Sequence, residues 1–298
     1  MTVDFHVHST ASDGTVAPAE LAARAARGGF DAIALTDHDN CDGVGEFMAA
    51  EPQVRKVAGV ELSIEPGEGF DRFHLLGLGI DPENAGLKDF LRRILEGRNE
   101  RNERMFANFR RLGIDIRPEP HGEVLARPHF ARWLVDNGYA DTIPAAFAKY
   151  LLSDSPAETR CYEDRYHPSQ EDAFRVVHAA GGICVMAHPK FWRRDWKTVG
   201  CDYGAAEREL ARLREAGLDG LEAYYQANTP EENMEFTRIA SRVGLLKSAG
   251  SDFHGANKQA IPLGMEVEEP FVAPLLEALG LAGALRTRVS AADGENLV

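Results

Sequence analysis

Short apolar runs separated by amphipathic stretches recur along most of this chain. Val3–Val7, Ala32–Leu35, Val57–Ile64, Phe73–Ile80, Ile183–Ala187, Gly220–Tyr224 and Leu246–Ala249 have the length of buried strands. Helical patterns lie between them. Pro18 opens an alanine-rich helix to about Arg27, which Gly28-Gly29 ends. Val44–Ala50 reads as a short helix, and Gln170–Ala180, Ala205–Ala216, Glu231–Val243 and Val272–Leu285 as longer ones. Leu87 to about Leu112 reads as one long helix rich in Arg, Glu and Asn. From Gly113 to about Tyr166 the pattern predicts short helices and turns without a clear strand, and the polar tail Arg286–Val298 is expected to fray.

Strands alternating with helices imply a mostly parallel sheet. Seven of them with covering helices predict a closed barrel: an α/β fold, with the barrel in residues 1–98 and 167–298 and an inserted, mainly helical cap in residues 99–166. The size fits, since 298 residues suffice for one large barrel. Hydrophobic content of 44% and charged content of 27% are those of a globular protein with a substantial core. A net charge of −14 disfavours long duplex nucleic acid as a partner, while leaving room for a local cationic site that takes a small phosphorylated ligand. The cysteines Cys41, Cys161, Cys184 and Cys201 form no C-x-x-C pair and read as reduced thiols. With no apolar signal core and no run long enough to cross a bilayer, the expectation is a cytoplasmic protein that makes no membrane contact. Oligomeric state is not legible at this level.

Candidate chemistry sits at the strand ends. His6-Val7-His8, Ser12-Asp13-Gly14, Thr36-Asp37-His38-Asp39, Gly59-Val60-Glu61, His74, Ala187-His188-Pro189 and Ser251-Asp252-Phe253-His254 contain six of the ten histidines. His6 and His8, two apart on a strand, point to one face, as does Asp4, which reads as a carboxylate orienting a neighbouring histidine. Each segment alone has a structural explanation: a turn former, a cap or a core histidine. Together, at the C-terminal ends of strands where barrels build active sites, they predict a mixed His/carboxylate centre for two or three divalent ions such as Mn, Fe or Zn.

These same motifs resemble the polymerase and histidinol phosphatase (PHP) family of metal-dependent phosphoesterases. The match runs through Asp4-Phe5-His6-Val7-His8-Ser9, Ser12-Asp13-Gly14, Leu35-Thr36-Asp37-His38-Asp39, Gly59-Val60-Glu61, His74, Ala187-His188-Pro189 and Gly250-Ser251-Asp252-Phe253-His254. The resemblance implies a distorted (β/α)7 barrel and a phosphoric ester hydrolase. It further implies that His6, His8, Glu61 and Asp252 hold one metal, that Glu61 bridges to a second completed by His74 and His188, and that Asp13, His38 and His254 hold a third. A hydroxide bridging the first two metals would attack phosphorus, which makes Asp252, His254 and Glu61 the catalytic set. Asp37 and Asp39 read as supporting groups.

Within the family, the long helix and Ala126-Arg127-Pro128-His129-Phe130-Ala131 resemble the inserted domain of the subgroup that removes the 3′-phosphate from 3′,5′-nucleoside bisphosphates, some members of which degrade short RNA. Arg127 and His129 would then bind a substrate phosphate. The chain departs from that subgroup after His188-Pro189, where Lys190-Phe191-Trp192-Arg193-Arg194 replaces the usual Gly-Arg-Tyr, and again at Tyr225–Pro230. Lys190 and Arg193 are candidate replacements for the missing arginine. Trp192 is suited either to stack on a base or to pack the loop. The alternatives are a phosphodiesterase acting on phosphorylated sugars or cyclic phosphates, a histidinol phosphatase, and a non-catalytic metal-binding module.

Overall fold

The computed structural model describes residues 1–51, 53–65, 72–119, 124–192, 200–258 and 260–281. Eight strands form one sheet: β1 (Thr2–Asp4), β2 (Ala32–Leu35), β3 (Arg55–Ile64), β4 (Phe73–Leu78), β5 (Ile183–Met186), β6 (Gly220–Tyr225), β7 (Leu246–Gly250) and β8 (Met265–Glu266). Their order is β7-β6-β5-β4-β3-β2-β1-β8. Seven are the strands expected from sequence. The eighth has two residues, too short to leave a periodic signal, and lies antiparallel to β1.

The sheet rolls into a barrel because the chain beyond β1 crosses to the chain at the end of β7. Phe5 N donates to Ala249 O at 2.9 Å, Asp252 N to His6 O at 2.9 Å and His8 N to Phe253 O at 2.9 Å. Residues 5–8 are therefore extended, as expected, but are shared between two neighbours and fall outside β1 itself.

One strand departs from the parallel rule. β4 runs antiparallel to both β3 and β5. Only residues 65–72 separate it from β3, fewer than the roughly dozen that a crossover to a parallel neighbour needs. The reversal carries His74, the second residue of β4, to the same rim as the C-terminal ends of the other strands. The expectation that every ligand follows a strand's C-terminal end is corrected for His74. It is also corrected for Glu61, which stands inside β3.

The helices are α1 (Pro18–Arg27), α2 (Val44–Ala49), α3 (Ala85–Arg111), α4 (Arg127–Asp136), α5 (Ile143–Ala146), α6 (Gln170–Ala179), α7 (Tyr203–Ala216), α8 (Pro230–Val243) and α9 (Glu269–Ala278). The last starts three residues before the sequence expectation, at a proline-containing first turn, and ends at Ala278. No helix among the described residues is long and apolar enough to cross a membrane.

Helix α3 is the element that matters most for the site. Asn84 caps it, accepting from Leu87 N at 3.0 Å. Its buried face repeats at three- and four-residue steps: Leu87, Phe90, Leu91, Ile94, Gly97, Arg98, Arg101, Asn102, Met105 and Phe109. Leu87 to Ile94 belong to the barrel's apolar core. Met105 and Phe109 belong to a separate cluster with Ile116, Phe130, Leu134, Tyr150 and Cys161, all drawn from residues 105–161. Between the two clusters the face turns polar, and there Arg98 and Arg101 are buried. Gly97 lets Tyr166 pack directly against this stretch of the helix, since a Cβ at that position would lie 2.7 Å from the Tyr166 side chain.

Candidate metal centre

His6 and His8, fully buried, arrive side by side where the chain closes the barrel. Glu61 faces them from β3. Its Oε1 lies 2.8 Å from His74 Nδ1, 3.1 Å from His188 Nε2 and 3.3 Å from His6 Nε2, and its Oε2 lies 2.9 Å from His38 Nδ1 and 3.2 Å from His8 Nε2. One carboxylate thus meets five imidazoles. Asp252 Oδ1 approaches His8 Nε2 at 3.5 Å, His6 Nε2 at 3.6 Å and His254 Nδ1 at 3.3 Å. Asp13 stands across from it, 3.3 Å from His254 Nε2, 3.8 Å from His38 Nε2 and 3.9 Å from His8 Nδ1.

All nine residues picked out as ligands therefore gather at one rim. Donor atoms of seven of them fall into three tight groups: His6, His8 and Glu61; His38, Glu61 and His74; and His8, Asp13, His38 and His254, with His188 and Asp252 beside these groups. His8 and His38 each belong to two of these groups, whereas the family pattern gives each a single metal. The reason is geometric: His8 presents one ring nitrogen to Glu61 and the other to Asp13, with its ring stacked on His254 at 4.0 Å between centroids.

The donor set fits divalent cations. His6 Nε2, both nitrogens of His8, His38 Nδ1 and Glu61 Oε2 are buried without a hydrogen bond. Each such orphan costs about 1–3 kcal/mol unless something satisfies it. Imidazole nitrogens and carboxylate oxygens converging in this way are the ligands that Mn, Fe and Zn accept. Burial, with the neighbouring His254 and His38, pushes His8 well below its ordinary value and keeps it a neutral donor. Burial alone would raise Glu61, but His38, His74 and His6 outweigh it and hold the carboxyl well below its usual range.

A second layer fixes the first. Asp37 accepts Ser9 N at 2.8 Å, Ser9 Oγ at 2.6 Å and Ser12 Oγ at 2.5 Å, pinning the turn that carries Asp13. The reading of Asp4 is corrected. It accepts from Ser251 N, Ser251 Oγ, Gly264 N and His6 N, so it ties backbone together and does not orient an imidazole ring. Asp252 Oδ2 accepts from Tyr225 Oη at 3.0 Å and Lys258 Nζ at 2.7 Å, which leaves Oδ1 for the histidines. Sequence reasoning missed Tyr225, Lys258 and Glu222, whose Oε1 lies 2.9 Å from His6 Nδ1.

Beside the centre opens a cavity of about 610 Å³, whose wall includes Asp13, His38 and His74. Arg72, Arg98, Arg101, Arg127 and Arg165 also line it, together with Asp154, Glu163 and Asp164. Asp39, directly after His38 and with a positive φ of 54°, binds two of them: Arg98 through Nε at 2.9 Å and again through Nη2, and Arg165 Nη2 at 2.9 Å. Arg72 is paired with Asp164 and Glu65. Among the described residues, Arg101 and Arg127 have no carboxylate partner. Among the described residues Arg101 donates to Asn102 Oδ1 at 2.8 Å, and its Nη2 is buried without a bond. Burial, together with Arg98, Arg127 and Arg165, pushes Arg101 down to about 9. Burial also lowers Arg127, which lies over the Tyr162 and Phe147 rings and donates to Leu151 O at 3.3 Å.

The remaining candidates are placed differently. His129 Nδ1 accepts from Ala126 N at 3.0 Å, a helix-capping role at the start of α4. Lys190 Nζ binds Ala227 O at 2.8 Å and Glu232 Oε2 at 2.7 Å, stapling two loops together. Trp192 is buried in the barrel core, edge-on to Phe73, so it packs the loop. Arg193 and Arg194 lie outside the described residues.

The role of Asp39 has a measurable consequence. Asp39→Asn keeps the size of the side chain and its tolerance of positive φ but strips Arg98 and Arg165 of their counter-charge. Unfolding free energy from urea titration is expected to fall by about 3 kcal/mol, with partial recovery in phosphate or sulfate. A loss below about 1 kcal/mol would show that the arginines do not depend on Asp39.

The comparisons with known proteins agree with this chemistry. A family model for the PHP domain matches residues 4–115. The chain is 34% identical over 276 residues to a 3′,5′-nucleoside bisphosphate phosphatase of Chromobacterium violaceum, covering 90% of this chain and 92% of that one. It is 32% identical over 259 residues to a 5′-3′ exoribonuclease of Haemophilus influenzae, covering 84% and 89%. Among solved structures, an amidohydrolase from Chromobacterium violaceum with bound sulfate and no metal superposes with a TM-score of 0.78 at 33% identity, covering 93% of this chain and 95% of that one. The chain belongs to the PHP family of metal-dependent phosphoesterases. It is a phosphoric ester hydrolase.

Proposed function

We propose that the protein removes phosphate from a small substrate bearing a second phosphate, a 3′,5′-nucleoside bisphosphate or the end of a short oligoribonucleotide. The observation that carries this reading is the arginine-lined cavity sharing a wall with the metal centre. In a chain of net charge −14, cationic side chains with no carboxylate partner among the described residues, Arg101 buried and Arg127 half-buried, call for an anion from outside.

His6, His8, Glu61 and Asp252, then His74 and His188, then Asp13, His38 and His254 are the residues that would hold the divalent ions, with Mn preferred. When bound, such ions neutralise charge on the transferring phosphoryl group and lower the pKa of water to make a nucleophile. Arg101 and Arg127 take the second phosphate, Arg127 as a planar fork held flat by Tyr162 and Phe147. Residues 99–166 act as the cap that brings Arg101, Arg127 and Arg165 over the barrel rim. Lys258 and Tyr225 hold Asp252 so that one oxygen faces the centre.

A phosphate-release panel with added Mn tests the reading. A nucleoside 3′,5′-bisphosphate is expected to exceed the matching 3′-monophosphate in kcat/KM by roughly 10- to 100-fold, the worth of one or two charged hydrogen bonds. Rapid turnover of a sugar phosphate or cyclic phosphodiester, with the nucleotides inert, would replace this substrate by the alternative one.

A further inference from the structure

Strand β6 reads Gly-Leu-Glu-Ala-Tyr-Tyr, an apolar run with one carboxylate, and Glu222 is fully buried in it. A buried carboxylate needs donors. Among the described residues Glu222 has two, and both belong to histidines of the candidate metal centre. Its Oε1 lies 2.9 Å from His6 Nδ1, and its Oε2 accepts the backbone N–H of His188 at 2.6 Å. On their far side the two histidines converge again. His6 Nε2 and His188 Nε2 approach the same atom, Glu61 Oε1, at 3.3 Å and 3.1 Å. Their rings are stacked 5.6 Å apart. The His6 imidazole is thus clamped between two carboxylates, Glu61 in front and Glu222 behind, while Glu222 holds the backbone that carries the His188 ring to Glu61.

Three features of the backbone build this clamp. A register shift between Glu222 and Tyr224 offsets the alternation of β6, so Glu222 and Tyr225 both reach the centre despite their odd spacing. Gly250 on β7 leaves the slot that Glu222 fills, since a Cβ there would lie 2.2 Å from Glu222 Oε1 and 2.5 Å from His6 Cβ. His188 holds a left-handed backbone, φ 30° and ψ 63°, a costly conformation for a non-glycine residue, and Glu222 binds its N–H.

The geometry assigns to Glu222 the role of a positioning residue that couples two ligands, His6 and His188, meeting at Glu61. An ionised carboxylate only accepts, so Glu222 fixes the His6 proton on Nδ1 and directs the Nε2 lone pair at the ion. Its other oxygen fixes the backbone from which His188 reaches the same point. Displacing Glu222 disturbs both ligands at once.

This inference rests on the metal-centre reading, and Mn titration of metal-free protein separates the two. Glu222→Gln keeps one acceptor oxygen but turns an NH2 toward one of two N–H donors, so one contact is lost. Glu222→Asp keeps the charge and is too short to span both, and it serves as the second variant where the first does not fold. Either is expected to weaken the tightest Mn binding by about 10- to 100-fold and to shrink the rise in melting temperature that Mn produces. A merely structural role would lower the melting temperature of the metal-free protein and leave that rise unchanged. A folded variant with wild-type Mn affinity overturns the role of Glu222. A wild-type protein that takes up no Mn overturns the metal centre itself.

Discussion

Glu61→Gln is expected to lower kcat/KM for phosphate release by on the order of 10³-fold or more, equivalent to about 4 kcal/mol of transition-state stabilisation. The size follows from geometry. Among the described residues, Glu61 is the carboxylate that meets all five of His6, His8, His38, His74 and His188 within 3.3 Å. Glutamine keeps the shape but removes the negative charge and turns an amide donor toward imidazoles whose lone pairs point inward. Two donor groups lose their shared member at once. Asp252→Asn is expected to act in the same direction through His6, His8 and His254. Steady-state kinetics with a metal-replete enzyme, accompanied by metal analysis, checks both. Loss of activity should track loss of bound ions. A Glu61→Gln protein with kcat/KM within 10-fold of wild type would remove Glu61 from the centre of the account.

Arg127→Ala is expected to raise KM for a bisphosphate by roughly 10- to 100-fold, the value of a hydrogen bond to a charged group, while changing kcat by less than about 3-fold. Arg127 lines the cavity and lies over the Phe147 and Tyr162 rings, so its loss is expected to remove binding common to ground and transition states. Arg101→Ala should behave alike, since its buried Nη2 has no partner before substrate arrives. The decisive comparison is with a monophosphate that lacks the second group. There both variants should match wild type. Arg127→Lys should recover only part of the loss, because a point charge does not reproduce the fork. An unchanged KM for the bisphosphate would reject Arg127 as an anchor.

What the sequence exposed, and what it concealed, has a physical pattern. His6, His8, His38, His188, Asp252 and His254 were legible because each sits where an apolar run stops, and a cluster of titratable groups at a strand end has few bland explanations. Their common rim was legible because strands and helices alternate. Glu222 was not, because one carboxylate in Gly220–Tyr224 looks like an exposed strand position, and the register shift that turns it inward leaves no periodic mark. The orientation of β4 was also hidden: His74 in Phe-His-Leu-Leu reads equally well on a parallel strand. Arg98 and Arg101 lay in plain view. Their spacing from Leu87, Leu91 and Ile94 puts them on the buried face of α3, and following that face past the apolar residues would have found the cationic cavity. Lys190 shows the converse error, since charge and proximity to His188 suggested a substrate contact while Ala227 O and Glu232 had already taken it.

Chelation and add-back tests the central claim most directly. Protein stripped of metal, then assayed for phosphate release from a nucleoside 3′,5′-bisphosphate before and after addition of Mn, should be inactive at first and regain activity as it binds more than one ion per chain. Activity that survives stripping, or a protein that binds less than one ion per chain and gains nothing from Mn, would contradict it.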